Sequence, residues 1–247
     1  MKETLTSIKK TFKIINCFTE KESTLSLLEL YKKTNISKPS ILRLCNTLLE
    51  ENFLTKDPDL GKYRLGEKVL ELWQIYNINS YFIKDIERYL KKISDFTGET
   101  VTIYKLENLE RKCIMRIESK QSLKYTISIG QKLPLHLGAG GKVILAFLSE
   151  ELQRQYFERL KFKTTYKDLD DYIKSLSKIK MENYYISYGE RDSFVAAASV
   201  PLFADNNIFG SLSISGPKER FIKFFSEKRL SLLIEYGQKV SKLIKFL

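Results

Sequence analysis

The sequence predicts an α+β protein: a helix-turn-helix, a β-hairpin and a further helix come first, and an antiparallel sheet with packed helices follows. Two short helical patterns flank a tight turn at Asn35, which indicates the helix-turn-helix. A basic hairpin pattern follows over residues 53–65. Beyond residue 81, strand patterns outnumber the helices available to connect parallel strands. An antiparallel sheet therefore fits this part better than a doubly wound sheet.

The chain is long enough for two domains. It has 247 residues, of which 43% are hydrophobic, enough for one large or two modest cores, and we expect two. No apolar run approaches the ~20 residues needed to cross a bilayer. The N-terminus also lacks the uninterrupted apolar stretch of a secretion signal. We therefore expect a cytoplasmic protein that does not bind membranes.

The net charge of +12 favours a polyanionic partner, because cationic side chains release counterions from the phosphates they neutralise. Residues 1–76 contain 13 Lys+Arg against 10 Asp+Glu, a net charge of +3, so the remaining +9 lies further along the chain. Net charge is thus weak support for DNA binding, and the local arrangement of charges matters more.

The first helix is predicted from apolar residues at spacings of three and four, which would supply one helix of a three-helix core: Leu5, Ile8, Phe12, Ile15 and Phe18.

The second helix begins at a capping box, in which the Ser26 hydroxyl accepts a backbone N–H and Glu29 reaches back to the cap. Asn35 tolerates the left-handed conformation that ends many helices. Ser37 is the predicted cap of the third helix. The turn between the two helices is therefore short and sharply angled.

The third helix is amphipathic and has the pattern of a DNA-reading helix. Its apolar stripe is formed by Ile41, Leu44, Cys45, Leu48 and Leu49. Its predicted DNA-binding face is polar and cationic without an acid: Ser37, Lys38, Pro39, Ser40, Arg43, Asn46 and Thr47. We expect Arg43 and Ser40 to contact bases, but a phosphate contact by Arg43, or packing over the turn, fits the pattern equally.

The hairpin has the character of a DNA-contacting wing. Strand patterns at residues 53–56 and 62–65 flank a turn rich in proline, aspartate and glycine. Lys56, Lys62 and Arg64 are predicted phosphate contacts, which position a protein on DNA without reading its sequence. A further helix follows Gly66, with apolar residues at Val69, Leu70, Trp73 and Tyr76.

The rest of the chain alternates helical and strand patterns. A helical stripe ends at Gly98, and the following strand turns back at Asn108. Further strands are predicted at residues 113–117, 125–129, 194–203 and 208–215, the last two joined by a turn at Asp205-Asn206-Asn207. The closing helix is predicted over 226–246.

Candidate chemistry is sparse. Three scattered cysteines and one histidine, His136, have no metal-ligand spacing, and no nucleophile motif is present, so we expect no metal, no cofactor and no catalytic residue. The cysteines are expected to be small core residues. The glycine cluster at 138–141 fits either a tight turn or a ligand-contacting loop at a helix N-terminus.

Three motifs resemble those of the IclR family of bacterial transcriptional regulators, in the family's order and over nearly the whole chain. The first is the winged helix-turn-helix, carried by residues 36–44, 48–54 and 63–66. The second is Pro134-Leu135-His136 with residues 141–146, similar to the effector-domain motif. The third is Ser213-Ile214-Ser215-Gly216-Pro217, similar to the family's late strand.

The resemblance implies three parts: a DNA-binding domain over 1–66, a linker helix over 67–79, and an effector-binding and oligomerisation domain over 80–247, similar to GAF and PAS domains. It implies that Trp73 is buried in a dimer contact. It also implies that a small organic or aromatic acid binds at Gly138, Ala139, Ser187, Ala197, Ser213 and Ser215.

Two residues depart from the family pattern. Ala197 stands where many members have cysteine, and Ser187 stands near an acidic position of some members. We therefore expect a more apolar pocket than is usual. Aromatic residues at strand spacing are candidates for its lining, although such residues are more often core: Tyr188, Phe194, Phe203 and Phe209.

The expected function is a ligand-responsive regulator that binds a double-stranded, two-half-site operator as a homodimer or dimer of dimers. Repression is the expected sense, although the residues themselves do not distinguish it from activation. Two alternatives remain: a small-molecule enzyme using the C-terminal pocket, which would show turnover, and a non-specific DNA-binding protein, which would be indifferent to sequence and ligand.

Overall fold

The computed structural model describes residues 5–78, 81–160 and 168–244, and the chain divides into two compact units, Met1–Tyr81 and Phe82–Leu247. The predicted linker helix falls in the first unit. The finer boundaries at residues 66 and 79 stay a prediction. Within the described ranges, no helix is both long enough and apolar enough to cross a membrane.

The first unit is a helix-turn-helix with a small antiparallel sheet. Its elements are α1 (Thr6–Ile15), β1 (Thr24–Leu25), α2 (Leu27–Thr34), α3 (Lys38–Glu50), β2 (Leu54–Lys56), β3 (Tyr63–Leu65) and α4 (Glu67–Ile78). The sheet order is β1-β3-β2, so the predicted hairpin gains a short third strand. Asn35 has φ of 56°, which confirms the predicted left-handed helix end.

The predicted role of α1 is only partly correct. Leu5, Ile8 and Phe12 are exposed, whereas Ile14 is fully buried in the core of the unit. Ile15 and Phe18 pack partly against that core. Periodic spacing identifies an apolar face but not the element it packs on, so the sequence wrongly placed Leu5, Ile8 and Phe12 in the core.

The second unit is a six-stranded antiparallel sheet between two layers of helices. Its elements are α5 (Tyr81–Thr97), β4 (Thr100–Glu107), β5 (Glu110–Ile117), β6 (Lys132–Pro134), α6 (Ala139–Ala146), α7 (Glu150–Leu160), α8 (Leu169–Glu182), β7 (Tyr185–Tyr188), β8 (Val195–Ala204), β9 (Asn207–Pro217), α9 (Lys218–Phe224) and α10 (Glu227–Ile244). The strand order is β6-β5-β4-β9-β8-β7. The predicted α+β class is confirmed.

Alternation along each strand divides the core between the two faces. Ile103 belongs to the cluster that contains α5, α9 and α10, whereas the adjacent Tyr104 belongs to the cluster that contains α6, α7 and α8. Asp205 and Asn206 have positive φ values of 46° and 66°, which fits the tight turn predicted between β8 and β9.

Three local predictions in this unit differ from the structure. Residues 125–129 do not form a strand, because the Ile127 carbonyl accepts a hydrogen bond from the Arg116 guanidinium instead of a neighbouring strand. The edge strands β6 and β7 and the short helix α9 were not expected. The closing helix begins one residue later than predicted, and residues 245–246 of that prediction lie outside the described residues.

Candidate functional site

From Lys38 to Thr47, the outer face of α3 is a solvent-facing surface without acidic groups, and the exposed Glu50 follows at the end of the helix. Of the residues predicted to bind DNA here, Ser40 is half-buried. The others are exposed: Ser37, Lys38, Pro39, Arg43, Asn46 and Thr47. The opposite stripe is inside, because Ile41, Cys45 and Leu48 are buried. The helix therefore presents polar and cationic side chains on an apolar support.

The N-terminus of α3 differs from the predicted cap. Ser37 occupies the cap position, but its hydroxyl makes no capping bond and lies 3.0 Å from the Ser40 hydroxyl instead. Pro39 lies in the first turn, where its missing N–H costs no helical hydrogen bond. The first-turn N–H groups are thus without a side-chain cap, and a helix N-terminus favours an anion.

The predicted wing cations do not share one surface. Lys56 pairs with Tyr63 across the hairpin and its ammonium lies 5.3 Å from that ring's centre. Arg64 is on the opposite face, since adjacent residues of a strand point to opposite sides. Lys62 Nζ lies 3.9 Å from Glu29 Oε2 of α2.

The second unit contains a cavity that brings together all six residues predicted to bind an effector. It has about 420 Å³ of space between atoms, part of it open to solvent. The predicted residues that line it are Gly138, Ala139, Ser187, Ala197, Ser213 and Ser215. They come from the start of α6 and from β7, β8 and β9, which meet here because those strands are neighbours in the sheet.

The glycine cluster at the start of α6 is required by geometry. Gly138 has φ of +76°, a conformation that favours glycine. A methyl group at Gly140 would lie 2.8 Å from the Ser213 hydroxyl oxygen. One at Gly141 would lie 2.1 Å from a guanidinium nitrogen of Arg111 and 2.2 Å from the Leu135 carbonyl oxygen. The cluster therefore serves as a tight turn and also makes room for Arg111.

The N-terminus of α6 is capped by the protein's own side chains. The Gly138 N–H donates to Glu190 Oε2 at 3.1 Å, and the Ala139 N–H donates to the Ser187 hydroxyl at 3.0 Å. Glu190 is held in place by the Lys142 ammonium at 2.9 Å and by the Tyr185 hydroxyl, which donates at 2.7 Å. Burial, followed by the hydrogen bond to Glu190, raises the pKa of Tyr185 to about 12.

Two arginines also line the cavity. Arg111 of β5 is 3% exposed, and this burial lowers the pKa of its guanidinium to about 10, so it remains charged at neutral pH. Burial also lowers the pKa of Arg191. The guanidinium of Arg191 lies 4.9 Å from the centre of the Tyr125 ring.

Comparison with known proteins identifies both units. The family model described as "IclR helix-turn-helix domain" matches residues 7–58, and the one described as "Bacterial transcriptional regulator IclR C-terminal" matches residues 78–242. The chain belongs to the IclR family.

Relatives of this IclR-family chain align along most of its length. "HTH-type transcriptional regulator KipR" of Bacillus subtilis is 27% identical over 95% of this chain and 96% of its own length. "Transcriptional repressor IclR" of Escherichia coli is 22% identical over 97% of this chain and 87% of its own. A solved IclR homologue from Microbacterium hydrocarbonoxydans, complexed with 4-hydroxybenzoate, has a TM-score of 0.80 at 15% identity, covering 98% of this chain and 100% of its own.

This IclR-family chain is therefore a transcriptional regulator with a DNA-binding helix-turn-helix and an effector-binding domain. The prediction that it is not an enzyme is confirmed, because the matched families and relatives are regulators. His136 hydrogen-bonds through Nδ1 to the Tyr156 hydroxyl at 3.1 Å. The described ranges contain no cluster of three potential metal ligands.

The expectation that the pocket of this IclR-family regulator is more apolar than is usual in the family stays a prediction. Four charged residues line the cavity: Arg111, Glu190, Arg191 and Asp192. They are brought in by β5 and by the loop after β7. A sequence with no pairing information does not show that β5 borders the cavity, and Arg111 is one of four charged residues in that strand, so no local signal singled it out.

The four aromatic candidates, for which the core was the alternative, do not line this cavity. Phe194 is 81% exposed, Phe203 packs edge-on against Phe147, and Tyr188 packs against Phe221. The Lys105 ammonium lies over the Phe209 ring. The aromatic residues that do line the cavity are Tyr104 and Tyr125.

Proposed function

We propose that this IclR-family regulator is a cytoplasmic repressor that binds a two-half-site operator as a homodimer or dimer of dimers. The observation that carries this proposal is the exposed face of α3, which has no acidic residue from Lys38 to Thr47 and is supported from within by Ile41, Cys45 and Leu48. A relative of similar length is a transcriptional repressor, which supports the sense of regulation. In this proposal α3 enters the major groove, with Arg43 and Ser40 at base edges.

The remaining cations have a positioning role in this proposal. Lys38, Lys56, Lys62 and Arg64 contact phosphates, which fix the orientation of the protein on the duplex. The uncapped first turn of α3 offers further N–H groups to a phosphate. Because Arg64 lies on the opposite face of the hairpin from Lys56, these two side chains would contact different phosphates.

The proposed effector is a small organic or aromatic acid that binds in the cavity of the second unit. Convergence of the six predicted residues on one cavity supports this, as does the solved homologue complexed with 4-hydroxybenzoate. The proposed mechanism is linkage: an acid that binds one dimer arrangement more tightly shifts the population toward it. The spacing of the two α3 helices, and hence operator affinity, then changes.

The test is fluorescence anisotropy with DNA from upstream of the protein's own and neighbouring genes, against a scrambled duplex at the same salt concentration. We expect a preference of ~10³ or more for one upstream duplex. Equal affinity for all duplexes would contradict operator reading. Transcription in vitro from the preferred duplex should decrease as the protein is added, and an increase would contradict repression.

A further inference from the structure

Arg111 is a buried cation that the protein leaves incompletely paired. One terminal nitrogen donates to the Leu137 carbonyl at 2.6 Å, and the guanidinium lies 5.2 Å from the centre of the Tyr104 ring. Its Nε is buried and has no hydrogen-bond acceptor among the described residues. No carboxylate of the described ranges forms an ion pair with it. A buried charge in this condition is costly unless an anion arrives to pair with it.

The nearby carboxylates are engaged elsewhere. Glu190 is bound by Lys142, by Tyr185 and by the Gly138 N–H. Asp192 accepts a hydrogen bond from the Phe194 N–H at 3.0 Å. The Lys142 ammonium is therefore already paired with Glu190, whereas the Arg111 guanidinium that lines the cavity has no carboxylate in an ion pair with it among the described residues.

Two N–H groups at the N-terminus of α6, those of Gly138 and Ala139, already have acceptors. They donate to Glu190 and Ser187, so an external anion would have to displace an internal carboxylate to reach them. The displaced Glu190 carboxylate would then lose its hydrogen bond from the Gly138 N–H and its position against the Lys142 ammonium. Binding at Arg111 requires no such displacement.

Arg191 is the second cation on the cavity wall. It lies close enough to Arg111 that their charge repulsion contributes to the lowered pKa of Arg111. Two guanidinium groups that repel each other within one partly enclosed space favour an anion between them. Tyr104 and Tyr125 border the same space and contact the two guanidinium groups through their ring faces.

We propose that Arg111, assisted by Arg191, is the anion receptor of this cavity, and that a small organic carboxylate binds to these guanidinium groups and not to the N-terminus of α6. This inference rests on the proposed effector function. It assigns specificity to a β5 residue, Arg111, and it gives Glu190 the role of an internal cap for α6.

The experiment is calorimetric titration of the full-length protein with two acids and their neutral amides: acetate with acetamide, and benzoate with benzamide, at constant ionic strength. We expect one or both acids to bind and the amides not to bind. In Arg111→Gln the acid should bind about tenfold or more weakly, because a charge-assisted hydrogen bond is lost. Arg159→Gln, at an exposed arginine of α7, is the matched control and should bind as the wild type does.

A second readout is the ¹⁵N–¹H resonance of the Arg111 Nε, which should shift on addition of acid as this donor gains an acceptor. A binding defect caused by misfolding would also alter the spectrum of unliganded Arg111→Gln, whereas loss of the receptor alone would not. Equal acid affinity in wild type and Arg111→Gln, binding of amides as tight as acids, or no binding of either acid to the wild type would overturn the proposal.

Glu190→Gln separates the two candidate receptors. Stronger acid binding in this variant together with unchanged binding in Arg111→Gln would place the anion at α6 and overturn the proposal. Failure of the wild type to prefer any upstream duplex would count against the DNA-binding proposal alone, because the acid titration does not depend on DNA.

Discussion

The buried Glu99, just before β4, forms an ion pair with the partly exposed Arg220 of α9. The two carboxylate oxygens lie 2.6 Å and 2.7 Å from Arg220 Nε and a terminal nitrogen, and the Glu99 side chain is 6% exposed. Gly216 leaves the space that the carboxylate occupies, since a methyl group there would lie 2.1 Å from it. Such a bidentate pair is sensitive to the loss of either partner.

Arg220→Ala should destabilise the second unit by about 3 to 5 kcal/mol, because it leaves the Glu99 carboxylate buried without a partner. The measurement is urea unfolding followed by circular dichroism. Arg154→Ala is the control, since Arg154 pairs with Glu150 on the exposed surface of α7 and such pairs contribute about 0 to 1 kcal/mol. Equal losses in both variants would contradict the importance of burial.

Arg43 is the residue on which operator reading is expected to depend most. If it makes a bidentate contact with a base, Arg43→Ala should weaken operator binding by about 1 to 3 kcal/mol and relax the preference over scrambled DNA. Arg159→Ala removes the same charge from the second unit and should leave operator affinity unchanged. A uniform loss on all duplexes would instead make Arg43 a phosphate contact.

The capping box at the start of α2 is the element whose local chemistry the sequence predicted in full. The Ser26 N–H donates to Glu29 Oε2 at 2.7 Å, and the Glu29 N–H donates to the Ser26 hydroxyl at 3.3 Å. These bonds lower the pKa of Glu29. Local sequence determines them because both partners lie within four residues.

Ser26→Ala should destabilise the first unit by about 1 kcal/mol, because a helix N–H loses its acceptor. Glu29→Gln is the matched variant, since glutamine also closes a capping box and should cost less. Urea unfolding followed by the fluorescence of Trp73, the chain's single tryptophan, measures both. A loss in Glu29→Gln with no loss in Ser26→Ala would mean that the charge of Glu29, and not the box, stabilises the helix.

The edge strands show where prediction at the level of elements failed. Residues 125–129 have a strand pattern, but the Arg116 side chain takes the Ile127 carbonyl, and pairing with β5 begins only at β6. β6 has three residues and β7 has four, which is too short for a periodic pattern to emerge. Strands that are brief and partly polar depend on their neighbour for their conformation.

At the scale of the whole molecule, the first unit carries exposed apolar side chains on α1 and α4. Leu5 and Phe12 are exposed on α1, and Trp73 of α4 is 58% exposed. Exposed apolar faces of this kind mark protein–protein contacts. They fit the proposed homodimer, in which Trp73 would be covered by a second copy.

Trp73→Glu should weaken self-association about tenfold or more, because tryptophan anchors at interface centres contribute strongly and a buried glutamate lacks a partner. Analytical ultracentrifugation measures the dimer dissociation constant. Leu123→Glu is the control, since Leu123 is equally apolar and 70% exposed in the second unit. Unchanged association in Trp73→Glu would place the dimer contact elsewhere.

The sequence by itself determined the helix-turn-helix, the hairpin and the α+β class, because these follow from periodicity, caps and turns within short stretches. The family was indicated by the resemblance of three motifs. The sequence also pointed to Gly138, Ala139 and Ser213, which the fold places on one cavity. Only the tertiary structure decided that Arg111 of β5 faces the same cavity and that Glu190 caps α6. The contact between Glu190 and α6 joins residues 52 positions apart, and the place of Arg111 depends on strand order. No local pattern encodes which strands become neighbours.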